Sequence, residues 1–367
     1  MTQVLERKPT VAEEPVSATS LVTQRLAPRI LVIAAVVVAG VVLALLTVSD
    51  SGGVAGFVIF SGVGYLVVQT VLSVAVEGRR RAVDRLTTAA MYVGIAIAVL
   101  PLVLIVWHTV RQGVRVLDLT FLTHSMFRVN PENPGGGVYH AIMGTLIQSA
   151  LAAALSVPLG LLTAIYLTEY GRGRRFARCV ALAVDVIAGL PSIVAGLFVF
   201  TAWILLLGFG KSGFAGAIAL AIVMLPIVIR ATEQMLRLVP DDLREASLAL
   251  GIRQWRTVVS VVLPTALGGI VTGVMLGVAR VAGETAPLLL LVGINQRIQL
   301  NPFGGQGGQR PQESLPTLIY EQFGIAAGNS DSAPFQRAWG AALVLIIIIG
   351  LLNLLARLVA RLVRVRG

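Results

Sequence analysis

Phe214-Ala-Gly-Ala-Ile-Ala-Leu-Ala-Ile-Val-Met-Leu-Pro-Ile-Val-Ile229 carries no charged side chain until Arg230 follows it. The run tapers off near residue 238, gives way to Asp241-Asp242-Leu243-Arg244-Glu245, and turns apolar again near 262. A bilayer core needs about 20 apolar residues of helix, since in lipid each backbone N–H and C=O must find its partner within the chain. Apolar run, short charged loop, apolar run is the unit that repeats through the sequence. Of its 367 residues 56% are apolar and 13% charged, against about 25% charged in a soluble domain. That balance excludes a disordered chain, a coiled coil and a soluble multidomain enzyme.

Working outward from this stretch, runs long enough to cross fall at about 30–48, 53–76, 88–108, 140–168, 180–207, 214–238, 262–292 and 338–363. The expected fold is all-α, a polytopic transmembrane helical bundle with both termini on one side. The net charge of +11 admits two explanations, a nucleic-acid partner or a membrane's cytoplasmic face, and position separates them. Arg7, Lys8, Arg25 and Arg29 precede the first run, Arg79, Arg80, Arg81 and Arg85 follow the second, and Arg172, Arg174, Arg175 and Arg178 follow the fourth. Arg230, Arg237, Arg244, Arg253 and Arg256 lie between the sixth and seventh, and Arg357, Arg361, Arg364 and Arg366 near the C-terminus. The intervening loops hold only Arg111, Arg115, Arg128, Lys211, Arg297, Arg310 and Arg337. This about threefold bias is the positive-inside pattern. It places both termini in the cytoplasm and leaves no role for nucleic acid.

Residues 1–28 are polar and read as a disordered cytoplasmic tail. The outward segments 109–139 and 293–337, with Gly135-Gly136-Gly137 and the glycine-rich Gly304–Gly308, are either docking surfaces or solvated connectors. Within the second, Leu315–Phe323 should make one or two helical turns. Gly208-Phe209-Gly210-Lys211-Ser212-Gly213 matches a dinucleotide fingerprint in form, but a membrane-length run precedes it where a short strand is needed. We read it as a tight turn. With Leu205 where a phosphate-binding loop needs glycine, no nucleotide site is found, so any ATP hydrolysis belongs to another polypeptide and no cofactor is expected. The lone Cys179 is a small apolar filler, and His108, His124 and His140 are loop or span-end residues without metal-ligand spacing.

Asp241-Asp242-Leu243-Arg244-Glu245-Ala246-Ser247-Leu248-Ala249-Leu250-Gly251-Ile252-Arg253-Gln254-Trp255-Arg256 leads to Val261-Val262-Leu263-Pro264. The two acids suit a helix N-terminus, Gly251 can turn the chain, and an amphipathic segment with Trp255 follows. Physics alone allows a passive interfacial anchor or a lever held by a soluble partner. The spacing Glu-Ala, Gly, then aliphatic-X-Leu-Pro resembles the signature loop of bacterial ABC importer permeases, with Ser247 and Val261 as slight departures. The resemblance implies a type I core of six spans preceded by an extra N-terminal hairpin, with domains 1–28, 29–78 and 79–367 and a coupling helix at about 241–256. It implies that Glu245, Ala246, Gly251, Asp241 and Arg244 couple to two ATPase subunits, that a second permease subunit completes the path, and that the chain sits in the bacterial plasma (inner) membrane and catalyses no covalent step.

Gly135–Thr145, Ala164–Tyr170, Gly189–Val194 and Ala279–Leu288 resemble the phosphate-specific members of that family, which implies phosphate as cargo and an extracytoplasmic phosphate-binding protein as donor. Arg280 and Glu284 interrupt the seventh run four residues apart, on one face if helical. They are either a mutually neutralising pair or, with Arg280 meeting the oxyanion, part of the substrate pathway. The resemblance favours the pathway. Asp185 is a structural hydrogen-bond partner or a gate. Pro158, Pro191 and Pro226 can kink pathway helices. The alternatives are a permease for sulfate or molybdate, a phosphate-sensing scaffold, and an ion-driven carrier, for which only Asp185, Arg280 and Glu284 would be available.

Overall fold

Each apolar run becomes helix, and the breaks between helices fall where proline or glycine dictates. The computed structural model describes residues 28–49, 54–130, 132–303 and 310–365. The tail expected at 1–28, up to residue 27, the stretch Gly304–Gly308 and the terminal Arg366 lie outside the described residues. Packing divides the chain into two compact units, Met1–Leu104 and Ile105–Gly367.

In the first unit, α1 (Pro28–Ser49) packs against α2 (Val54–Glu77). Gly78, with φ +89°, separates α2 from α3 (Arg79–Gly113), whose Pro101 leaves it unbroken. Arg85 donates to Glu77 at 2.8 Å, and Ser73 donates to the same carboxylate at 3.0 Å. Val36, Ile59, Ile97 and Leu100 point outward, which water would penalise and lipid accepts.

The second unit adds α4 (Leu119–Thr123) and α5 (Tyr139–Ile165), the latter prolonged by a π-helical turn Tyr166–Tyr170. α6 (Arg175–Gly189) and α7 (Ser192–Val199), the latter prolonged to Leu206, follow. Next come α8 (Gly213–Arg237), α9 (Asp241–Ala249), α10 (Gln254–Thr257) and α11 (Leu263–Ala282), joined to α10 by a π-helical turn. α12 (Ala286–Leu291), α13 (Leu315–Ala326) and α14 (Ala333–Val365) complete it. α8 is central, packing against α5, α11, α6, α7 and α12. Its face Leu220, Met224, Val228 and Ile229 is fully buried. Gly269, Gly273 and Gly277 let α11 lie close along it: a Cβ on Gly273 would come within 2.5 Å of Ala231, and Gly277 faces Met224 and Ile227.

Among the described residues, six helices are long and apolar enough to cross a membrane, and a bent pair would make a seventh; the described apolar part of α1, Leu31–Leu43, is shorter. The continuous span expected at 180–207 is corrected: α6 and α7 meet at 102°. Pro191 supplies no N–H and forces Leu190 into extended backbone, ψ 136°. The span expected at 262–292 also differs. It begins at Gln254, so Trp255 is part of the crossing helix instead of a separate segment lying flat, and it ends at Ala282, where Gly283 stops the helix. Pro158 and Pro226 sit within α5 and α8 without ending them. Gly208 has φ +71° and the Ser212 side chain caps α8, so the glycine-rich match is a turn. Cys179, expected as filler, is exposed.

Within the segment 293–337, expected to face outward, residues 310–337 are no loose connector. α13 runs for 12 residues and buries Leu315, Pro316, Thr317 and Leu318. Leu315 and Leu318 join Phe121, Val138, Ala141, Ala341 and Val344 in one apolar cluster.

Candidate functional site

Three groups of polar residues are built into the second unit. The first surrounds α9. Asp241 and Asp242 occupy its first turn, as the dipole favours, and Gly251 turns the chain with φ +77°. Arg244 points inward, its side chain 10% exposed. It donates to Glu169 on the π-helical turn after α5 at 2.9 Å, to Asp241 at 2.9 Å, and to the backbone carbonyls of Val239 at 2.6 Å and Leu236 at 2.8 Å. These carbonyls follow from the end of α8, where helix geometry leaves acceptors without partners. The Ser247 and Thr257 hydroxyls meet at 2.9 Å, and Gln254 donates to the Glu169 carbonyl at 2.8 Å. α9 is therefore fastened to α5, α8 and α10 through Arg244 and Ser247, while Glu245, Ala246, Leu248 and Leu250 face outward. Of the residues expected to couple, Arg244 is directed into the chain and Glu245, Ala246, Asp241 and Gly251 are exposed.

The second group lines a cavity of about 1160 Å³ bounded by the end of α6, the Leu190–Pro191 break, α7, one face of α8 and the end of α11. Ile187, Val194, Phe198 and Ile227 make its walls apolar, and Arg230 and Arg280 bring the charge. Arg280 is 66% exposed, and its closest approach to Glu284 is 4.0 Å. The expected pair forms at the 4.0 Å limit of an ion pair, because the helix stops at Ala282 and Glu284 follows the Gly283 cap. Arg280 thus lines the cavity with Glu284 as a loosely held counter-ion. Asp185 pairs with Arg230, and Arg230 also donates to Glu233 at 2.6 Å and to the Ala181 carbonyl at 3.3 Å. Arg237 holds the other Glu233 oxygen at 2.5 Å.

The third group gathers the start of α5, the stretch just before α13, α13 itself and the start of α14. His140 Nε2 is 3.4 Å from Glu313, each side chain 1% exposed. Burial pushes the Glu313 carboxyl up to about 7. Burial, and then the neighbouring Glu313 carboxyl, push Glu321 up to about 8. Arg337 donates to Gln322 at 3.0 Å and to the carbonyls of Asn133 and Gly135 at 2.9 Å.

Sequence reading missed Arg230, Glu233 and Glu169 as partners. Arg230, Glu233 and Arg237 carry a readable signal, because i,i+3 and i,i+4 neighbours meet on a helix. Glu313 and Glu321 carry none, since their cluster assembles from four separate stretches of chain.

A model of the family described as binding-protein-dependent transport system inner membrane component matches residues 156–366. The phosphate transport system permease protein PstA 1 of Mycobacterium tuberculosis (strain ATCC 25618 / H37Rv) is 50% identical over 282 residues, 77% of this chain and 88% of that relative. The phosphate transport system permease protein PstA of Mycobacterium leprae (strain TN) is 47% identical over 288 residues, 78% and 91% of the two chains. That of Yersinia pestis is 39% identical over 259 residues, 70% and 83%.

Proposed function

The chain belongs to the family of binding-protein-dependent transport system inner membrane components, and from that premise we propose that it is the permease subunit of an ATP-driven phosphate importer. The observation that carries this reading is the 47–50% identity to phosphate permeases over about nine-tenths of their length. It is a multi-pass membrane protein, with the Arg-rich loops and both termini in the cytoplasm. A phosphate-binding protein delivers its ion to the outward segments, and a second permease subunit completes the path.

α9 is the coupling helix. Its outward side chains Glu245, Ala246, Leu248 and Leu250 meet one of two ATPase subunits, and Gly251 and Asp241 border the contact. Arg244 and Ser247 transmit the ATPase's movement into α5, α8 and α10, which the π-helical turn joins to α11, because they are the side chains tied to those helices. The chain itself makes and breaks no covalent bond. Residues 79–367 form the permease domain, and 29–78 are an added hairpin.

Arg280 meets phosphate at the cavity wall. A guanidinium remains charged and offers a planar fork to an oxyanion. Its distance from Glu284 leaves the fork available, and the nearby carboxylate keeps the ion from being held too firmly to leave. Labelled phosphate uptake by the assembled complex tests the reading. Arg280→Gln should abolish uptake while the subunits still co-purify; uptake at the wild-type rate would refute the role of Arg280.

A further inference from the structure

The cavity that Arg280 lines has a second cation, and the register of α8 against α11 fixes where it lies. Gly273 sits beside Ala231, next to Arg230, and Arg280 lies two turns further along α11. At 1.5 Å per residue the two arginines are about 10 Å apart along the helix axes. Among the lining residues they are the charged ones. Arg280 stands near the Gly283 end of α11, and Arg230 stands nearer the α9 end of α8.

The counter-ions of Arg230 differ in kind. Glu233 is 7% exposed and held from its other side by Arg237, so it is fixed. Asp185 is 61% exposed, on a helix most of whose side chains face outward. Of the two counter-ions, the exposed Asp185 carboxylate is the less constrained. Glu233 engages one terminal nitrogen of the guanidinium, and Asp185 and the Ala181 carbonyl engage the other. Asp185 can therefore leave while Glu233 keeps the fork aimed.

Resting on the phosphate reading above, we infer that Arg230 is the second anion-binding residue of the pathway, with Asp185 as its exchangeable counter-ion. Phosphate leaving Arg280 takes the place of the Asp185 carboxylate on Arg230, and the displaced carboxylate turns to its exposed side. Among the described residues, the hydrogen bonds joining α6 to α8 are those of Arg230 to Asp185 and Ala181. The same exchange therefore loosens α6, one wall of the cavity, as the ion reaches the inner end.

A structural salt bridge and an exchangeable anion site differ in one respect that can be measured. If Arg230 only holds α6 to α8, where it also bonds the Ala181 carbonyl and Glu233, R230Q lowers the melting temperature and the assembly of the complex in step with uptake. If it binds the transported ion, uptake is lost while both are kept, and only the arginine is indispensable. The complex, with its ATPase, partner permease and binding protein, is reconstituted in liposomes and labelled inorganic phosphate uptake is measured for Asp185→Asn and Arg230→Gln, with co-purification and melting temperature as the controls. D185N should keep uptake within about threefold of wild type and R230Q should lose at least about tenfold. Uptake by R230Q equal to or above that of D185N overturns the inference, as does a loss matched by the fall in melting temperature. Where R230Q does not assemble, Arg230→Lys carries the comparison, because it keeps the charge without the fork: uptake below that of D185N supports the inference, and uptake equal or higher overturns it. A wild-type complex that moves no phosphate overturns the phosphate reading itself, an outcome distinct from a loss confined to Arg230.

Discussion

Helix α5 and its π-helical extension carry an ionic cluster at each end, and the two are built on opposite principles. His140 lies in the first turn and Glu169 in the last, roughly 40 Å apart along the axis. At the Glu169 end each buried acid has an arginine in direct contact: Glu169 with Arg244, and Glu233 with both Arg230 and Arg237. At the His140 end two carboxyls, Glu313 and Glu321, share one buried region, and the His140–Glu313 contact is 3.4 Å. Paired charges act as fixed struts. Crowded carboxyls instead keep protons that ordinary ones would release. The end assigned to the motor is electrostatically locked, and the end assigned to ligand delivery responds to pH.

Breaking the lock should have the largest effect. Arg244→Ala leaves Glu169, 6% exposed, without its charge partner and frees the carbonyls of Leu236 and Val239. Removing one member of a buried pair costs about 3–5 kcal/mol. We expect α9 to detach, seen as lost co-purification of the ATPase and lost uptake, with a lower melting temperature of the purified protein. Wild-type assembly in this variant would show that α9 is held by its apolar contacts instead.

The same contrast explains what could be read in the sequence. The spans, the glycine turn at 251 and the acids opening α9 follow from local rules: apolar length, φ preference and helix dipole. The i,i+3 and i,i+4 spacing of Arg230, Glu233 and Arg237 is equally local, though the charge bias along the sequence draws only on the position of the two arginines. The 102° break at Leu190–Pro191 was only half legible. A proline in an apolar run signals a kink, but neighbouring helices decide whether it bends the chain, and Pro158 and Pro226 did not. The Glu313 cluster was illegible because His140, Glu313, Glu321 and Arg337 meet only after α5, α13 and α14 have packed. The direction of Arg244 was hidden likewise, since Glu169 reaches it from a distant part of the chain.

The crowded end supplies the next test. Glu313 and Glu321 have an ordinary value of 4.5 and stay protonated to about 7 and about 8 when folded. Between these limits the two carboxyls bind more protons in the folded chain than in the unfolded one, so their contribution to stability falls as pH rises. The melting temperature of the purified protein should drop by about 2–4 °C between about pH 5.5 and about pH 8.5. Glu321→Gln, which keeps the shape and removes the proton, should flatten that slope. An unchanged slope would place the titration elsewhere.

The smallest effect separates backbone from side chain within the locked region. Gly251 has φ +77° and nothing within 4 Å of a built Cβ, so substitution there meets strain without a clash. Gly251→Ala should cost about 1–2 kcal/mol, the penalty of left-handed backbone for an L residue, and Gly251→Asn less, because its short polar side chain tolerates that region. ATPase binding and phosphate uptake measured together should then rank wild type, Asn and Ala in that order. Equal loss for both would mean that the partner surface itself excludes a side chain at 251, and that contact, not chain direction, sets the requirement for glycine.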